Sequence, residues 1–314
     1  MFHKTFALSL LTGSMLILSL SSCSRKSDDG TAVNQKSSMT VSSAASTVPQ
    51  ETPKAPVKKE DSRHSDLKHV LSRMSSRFKG EVSIEKADYD SFLSDLEDVL
   101  LDEKNNSRDD ISLYYLIDKT HYAGDGDGSD YVPKTLVPLK NCRSYVVNKD
   151  GLSLRKEAAD ALVVMGDAAR ADGVTLSVSS SYRSYTYQKN LFQHWVDVDG
   201  LAEAERESAR AGTSQHQLGV AVDFGSVSND FAYTKQGKWM YSNASKYGWS
   251  LSFPQDHEDV TGFRWESWHF RYIGVKACAL QKNWFYDIQQ YMIEFIDEWK
   301  KTESYKTFAE KNGI

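Results

Sequence analysis

The chain has 314 residues, of which 40% are hydrophobic and 26% are charged. That is enough apolar material for one sizeable core, or for one core with an appendage. The net charge of -5 gives no electrostatic basis for capturing nucleic acid, so no nucleic-acid partner is expected.

Residues 1–23 form a targeting segment. Lys4 supplies the positive end, and residues 6–20 are an apolar run interrupted by Ser9, Thr12, Gly13 and Ser14. Ser21 and Ser22 then precede Cys23. The pattern resembles a bacterial lipoprotein signal that is cut before the cysteine, which leaves Cys23 to carry lipid. An ordinary secretory signal and an uncleaved anchor are the alternatives, but the apolar run is short for a bilayer span. Residues 24–60 are rich in Ser, Thr, Ala, Pro and Lys and hold no aromatic residue. Such a segment cannot offset its ordering entropy by burial, so a flexible tether is expected.

Residues 61–109 are expected to form a helical appendage. Leu67, Val70, Leu71 and Met74 recur at helical spacing, as do Phe92, Leu93, Leu96, Val99 and Leu100. His64 and His69 read as solvated. The main domain is expected over 110–280. Its opening, 112–118, reads as a strand. Residues 124–130 are acidic and glycine-rich, but Asp130 and Leu136 stand where a calcium loop needs Gly and Glu, so a flexible polar loop is expected. A helix over 154–171 ends at Gly173, and a β-branched strand follows over 174–178. Helices are expected over 188–196, 203–210 and 239–247, and strands over 219–224 and 263–273, the latter central. Trp284, Ile288, Tyr291, Met292, Phe295, Ile296 and Trp299 form the apolar stripe of an amphipathic helix in the C-terminal segment, 281–314. Cys142 and Cys278 either pair in an oxidising compartment or remain buried free thiols.

The chemistry concentrates in two stretches. The first, 214–223, reads Ser-Gln-His-Gln-Leu-Gly-Val-Ala-Val-Asp; the second, 265–271, reads Trp-Glu-Ser-Trp-His-Phe-Arg. His216, Asp223 and His269 make a three-ligand set for zinc, with Glu266 as a general base. Gly219 and its β-branched neighbours argue against a helix there. His216 then comes from a turn, Gly219 lets the chain reverse, and Asp223 points inward from a strand whose Val222 and Phe224 face the other way. Glu266 lies three residues before His269, so a flat strand puts the two on opposite faces. A bulge or bend near Ser267 resolves this.

These motifs, with Ser181-Tyr-Arg-Ser184, Tyr247-Gly-Trp249 and the run from Thr261 to Gly274, resemble those of the zinc D-alanyl-D-alanine carboxypeptidase family, the vancomycin-resistance type. The resemblance covers roughly residues 110–280. It implies an α+β fold of the Hedgehog/D,D-peptidase type, with a small antiparallel sheet flanked by helices. It implies Zn2+ held by His216, Asp223 and His269, and Glu266 as base. Arg183 would polarise the scissile carbonyl or hold an anionic substrate group, Ser214 would line the pocket, and Arg271 is a candidate for gripping the terminal carboxylate. Arg264 reads as solvated, as does His257 in its acidic loop; His194 reads as packed or superficial. Ser267 departs from the family pattern, in which many members carry proline, and serine loosens the backbone there.

The implied function is zinc-dependent hydrolysis of the terminal D-Ala-D-Ala bond of peptidoglycan stem peptides. An L,D-carboxypeptidase and a peptidoglycan endopeptidase are close alternatives. A non-catalytic cell-envelope binding lipoprotein is the alternative of another class. The expected location is the cell envelope, attached to a membrane through lipid on Cys23 and facing the periplasm or cell exterior.

Overall fold

The computed structural model describes residues 61–314. The targeting segment, Cys23 and the tether lie outside the described residues.

Helices α1 (Ser62–Met74) and α2 (Tyr89–Asn106) open the described chain. Asp61 caps α1 by accepting from the Arg63 backbone N–H at 2.9 Å. The predicted apolar faces are buried, Leu67, Val70 and Met74 on α1 and Phe92, Leu93, Leu96, Val99 and Leu100 on α2, with Leu71 partly so. They share one hydrophobic core with the rest of the described chain. Phe92 meets Trp284, Phe285 and Phe295 at ring distances of 5.5, 5.9 and 5.2 Å. The segment after α1 also grips a distant loop, with Arg77 donating to the Val260 carbonyl and Lys79 pairing with Asp259.

The expected strand at 112–118 does not form. Its main-chain groups are taken by side chains from elsewhere instead of a ladder. Glu103 accepts from the Leu113 N–H. Arg155 takes the Ile111 carbonyl, and Arg271 takes those of Leu113 and Tyr115. With its hydrogen bonds thus satisfied, the stretch runs as irregular buried chain.

Two short strands, β1 (Leu136–Pro138) and β3 (Ser153–Arg155), form an antiparallel pair, with β2 (Tyr145–Val147) between them in sequence. Helix α3 (Lys156–Ala171) follows β3 and ends before Gly173, which has φ +71°. Then come β4 (Leu176–Ser180), α4 (Tyr185–Asp199), α5 (Leu201–Glu207) and β5 (Ala221–Phe224). The chain continues through α6 (Lys235–Asn243), β6 (Trp249–Leu251), the short α7 (Glu258–Thr261) and β7 (His269–Tyr272). Strands β2, β4, β5, β7 and β6 make one sheet in that spatial order. It is antiparallel apart from its edge pair β2–β4, which is parallel. The fold is thus α+β, as the motifs imply.

Only His269–Tyr272 of the predicted strand over 263–273 is extended, and it lies next to the β6 edge. The C-terminal stripe is buried as expected apart from Trp284, which is half-buried, but it does not lie on one helix. It divides between α8 (Val275–Trp284) and α9 (Gln289–Trp299), with Tyr286 and Asp287 at φ +55° and +58° between them; α10 (Glu303–Asn312) closes the chain. Cys142 is exposed and Cys278 buried, and both are free thiols, so no disulfide joins them.

Candidate active site

Ser214 begins a single 3-10 turn, Gln215–Leu218, by accepting from the His216 N–H at 3.3 Å. Gly219 ends the turn at φ +70°. A Cβ there would sit 3.1 Å from both Arg155 Cγ and Leu136 Cδ2, so the left-handed backbone disfavours any other residue and the tight space adds to the strain. The chain then enters β5. Strand alternation sends Val222 and Phe224 into the core and Asp223 to the other face. Asp223 sits between Ser180 on β4 and His269 on β7.

Glu266 precedes β7 on a turn, which removes the conflict with alternation. Its N–H donates to the Phe253 carbonyl at 3.0 Å. Asn229 braces both neighbours: its amide donates to the Trp265 carbonyl at 3.0 Å and its oxygen accepts from the Ser267 N–H at 3.0 Å. Proline at 267 has no N–H and could not make the second bond. Serine therefore gives up a rigid ring but supplies a donor. Nothing in the sequence marks Asn229, which lies 37 residues before Glu266 at the start of a short 3-10 helix, Asn229–Tyr233. Asn229→Ala is expected to lower kcat by about 10–100-fold with any bound metal unchanged, because small misplacements of a reacting group cost that much. Steady-state kinetics beside metal analysis checks it.

His216, Asp223 and His269 converge as the only buried three-ligand group among the described residues. Asp223 Oδ2 lies 3.3 Å from His216 Nε2, and Oδ1 lies 3.2 Å from His269 Nδ1. Each ring has its outer nitrogen occupied. His216 Nδ1 is 2.7 Å from the Ser181 carbonyl, which can only accept, so Nδ1 carries the proton and Nε2 presents a lone pair. His269 Nε2 donates to Gln215 Oε1 at 3.3 Å, which frees Nδ1. Gln215 Oε1 also accepts from Ser252 Oγ at 2.7 Å. His216 Nε2 and Asp223 Oδ1 are buried without a hydrogen-bond partner. Two imidazole lone pairs and a carboxylate oxygen at such spacing suit a divalent cation of the zinc type.

Burial, reinforced by Arg183, pushes the His216 imidazole down to about 4, so the ring is neutral and ready to ligate at neutral pH. Burial opposes ionisation of Asp223, but His216 and Arg183 outweigh it and hold the carboxyl well below its usual range. Glu266 moves the other way, raised well above the carboxylate range by burial and then by Asp223. Its Oε2 is 3.5 Å from His269 Nδ1, next to the ligand cluster.

Arg183 donates to Asp223 Oδ2 at 2.6 Å, to Ser180 Oγ at 3.0 Å and to Gln188 Oε1 at 3.2 Å. It is thus fixed at three points beside the ligands. Arg183, Ser214 and Glu266 line one cleft of about 640 Å³ with the three ligands. Arg271 does not reach it. It is fully buried, donates to the Leu113 and Tyr115 carbonyls at 2.7 and 2.9 Å, and belongs to the scaffold. Arg264, expected to be solvated, borders the cleft and pairs with Glu207. His257 is largely covered and lies 3.3 Å from Glu81. His64 is not simply solvated: it lies 2.7 Å from Asp90 and packs on Tyr89. His194 is superficial, with its ring against Trp195.

The fold and site define a hydrolase-type centre: a small α+β domain with two histidines and an aspartate converging beside a buried glutamate. Residues 151–275 match the VanY D-alanyl-D-alanine carboxypeptidase family. The chain is 34% identical over 230 residues to the Bacillus subtilis protein YodJ, which is named as a carboxypeptidase, covering 71% of this chain and 81% of that one. It is 31% identical to a D-alanyl-D-alanine carboxypeptidase of Enterococcus faecium, over 54% of this chain and 53% of the enterococcal one. Among solved structures it is similar to the LD-carboxypeptidase LdcB, at 33% identity and a TM-score of 0.51, covering 58% of this chain and 85% of that one. The chain belongs to the VanY D-alanyl-D-alanine carboxypeptidase family, and its class is that of carboxypeptidases.

Proposed function

We propose that the protein is a zinc-dependent D,D-carboxypeptidase that removes the terminal D-alanine from peptidoglycan stem peptides. The observation that most directly supports this is that two buried atoms of the cluster, His216 Nε2 and Asp223 Oδ1, lack a hydrogen-bond partner, with His269 Nδ1 3.2 Å from Asp223 Oδ1 and 3.5 Å from Glu266 Oε2. A zinc ion held by these three residues would supply Lewis acidity towards a carbonyl oxygen and acidify water.

The chain's own residues account for the rest. Glu266 takes up a proton from the attacking water at its carboxylate and passes it to the leaving amine nitrogen, and burial favours the protonated form on the way. Arg183 presents a fixed guanidinium to the oxygen on which charge develops, or to the substrate's terminal carboxylate. Ser214 forms part of the pocket wall. Phe253, packed on His269 at 4.7 Å, keeps the ring in place and helps exclude water.

Chelation is expected to abolish D-alanine release, and stoichiometric zinc to restore it. A bound metal also stabilises the fold by mass action, by about 4 kcal/mol at a thousandfold excess over Kd. The same titration should therefore lower and then restore Tm. If chelated and zinc-loaded protein release D-alanine equally, the metal assignment fails.

The likeness to LdcB favours a second reading, L,D-carboxypeptidase action on tetrapeptides. Mass spectrometry of muropeptides before and after incubation separates the two: pentapeptide shortened to tetrapeptide, or tetrapeptide to tripeptide. We also propose that lipid on Cys23 holds the enzyme at a membrane in the cell envelope. Labelling with a palmitate analogue tests this, with a Cys23→Ser control.

A further inference from the structure

Helix α4 presents a wall to the same cleft. Tyr187, Leu191, Trp195 and Asp199 all line it. They recur at every fourth position, so they form one stripe along the helix. The stripe starts close to the reaction centre, because Arg183 immediately precedes the helix cap Ser184 and donates to Asp223. From there it runs outward for about 18 Å at the α-helical rise.

The rear of the helix is held fast. Gln188, fully buried, accepts from Arg183 and donates to the Ala209 carbonyl at 2.7 Å. Phe192 packs beneath the Arg210 guanidinium at 4.9 Å. The front is left open: Tyr187 is 50% exposed and Trp195 half-buried. Open aromatic surface on a rigid wall of a reactive cleft is a store of binding energy, since large stiff rings give contact area at little entropic cost. The length is informative too. An extended peptide of five residues spans about 17 Å, close to the length of the stripe and far beyond the reach of a terminal dipeptide.

We infer that the α4 stripe binds the stem-peptide residues upstream of the scissile bond, with Trp195 as the outer anchor and Tyr187 nearer the reaction. This rests on the carboxypeptidase reading above. The ligand is an extended peptide lying along the helix, and its remote contacts are used to align the reacting bond.

The test compares acetyl-L-Lys-D-Ala-D-Ala with the full pentapeptide as substrates. The zinc-loaded wild type is expected to favour the pentapeptide in kcat/KM by about tenfold or more. Trp195→Ala, and independently the more exposed Tyr187→Ala, should bring that ratio towards one. Gln193→Ala, on the solvent side of α4, should keep the wild-type ratio. The inference is overturned if the wild type shows no preference for length, or if both aromatic variants release D-alanine with the wild-type ratio. If the zinc-loaded wild type releases no D-alanine from either peptide, the carboxypeptidase reading fails instead. Calorimetric binding of the pentapeptide to zinc-loaded Glu266→Gln, with and without Trp195→Ala, then still decides the wall: an affinity unchanged by Trp195→Ala sinks it.

Discussion

Glu266→Gln is expected to retain zinc at the wild-type level and to lose kcat by about 10²–10⁴-fold, the usual contribution of a positioned acid–base group. The amide keeps the shape of the carboxylate and removes only its capacity to take up a proton. Glu266 is not one of the three converging ligands. It is buried beside Asp223, and both burial and that neighbouring charge disfavour its ionised form. A neutral amide therefore relieves a penalty, so the metal-free variant should unfold at the same denaturant concentration as the wild type or a higher one. Loss of activity with stability kept or gained distinguishes a group retained for chemistry from one retained for structure. D-alanine release, zinc content and urea unfolding on one preparation make the comparison. A variant within a few-fold of wild-type kcat would remove Glu266 from its role.

The convergence of His216, Asp223 and His269 was legible because its constraints are local. A glycine between a histidine and a β-branched run forces a turn followed by a strand, and the structure has that turn with Gly219 at φ +70°. The three-residue interval between Glu266 and His269 raised a geometric conflict whose resolution, a bend before the strand, is also present. The supports of the site were not legible. Gln215 lies beside His216 in the motif, and its position could have suggested an outer partner for an imidazole. Asn229 and Ser252 come from distant connections, and only the folded chain brings them to Trp265, Ser267 and Gln215.

The two misread features share one physical cause. Residues 112–118 carry strand-like composition, and Arg271 lies two residues after His269, so local pattern assigns one to the sheet and the other to the cleft. In the structure each completes the other. Arg271 turns away from the ligands and saturates the Leu113 and Tyr115 carbonyls, and those carbonyls are thereby unavailable to a neighbouring strand. Propensity describes what a segment prefers alone. Here a buried donor from 156 or more residues away outbids it.

Arg155 does the same for Ile111, and its pairing with Glu157 leads to the largest stability effect expected in the scaffold. The Arg155 side chain is fully buried and that of Glu157 is 7% exposed. Glu157 Oε1 accepts from both Nε and Nη2, at 2.9 and 2.5 Å. Nη1 donates to the Ile111 carbonyl and Nη2 also to Ser107 Oγ, at 2.8 and 2.9 Å. Glu157 lies in the first turn of α3, where the helix dipole favours a negative charge. The Arg155 N–H also donates to the Gly219 carbonyl at 2.8 Å, so this cluster underlies the turn that presents His216. Removing one partner leaves the other charge buried and uncompensated, whereas removing both does not. Glu157→Leu is therefore expected to cost about 3–5 kcal/mol in urea unfolding. The double variant Arg155→Met/Glu157→Leu should be more stable than the single Glu157 variant, because the stranded charge has gone with its partner. A double-mutant cycle checks this directly. Additive losses would mean that the two residues act independently. A strong coupling would instead show that the buried pair stabilises the start of α3 as one unit.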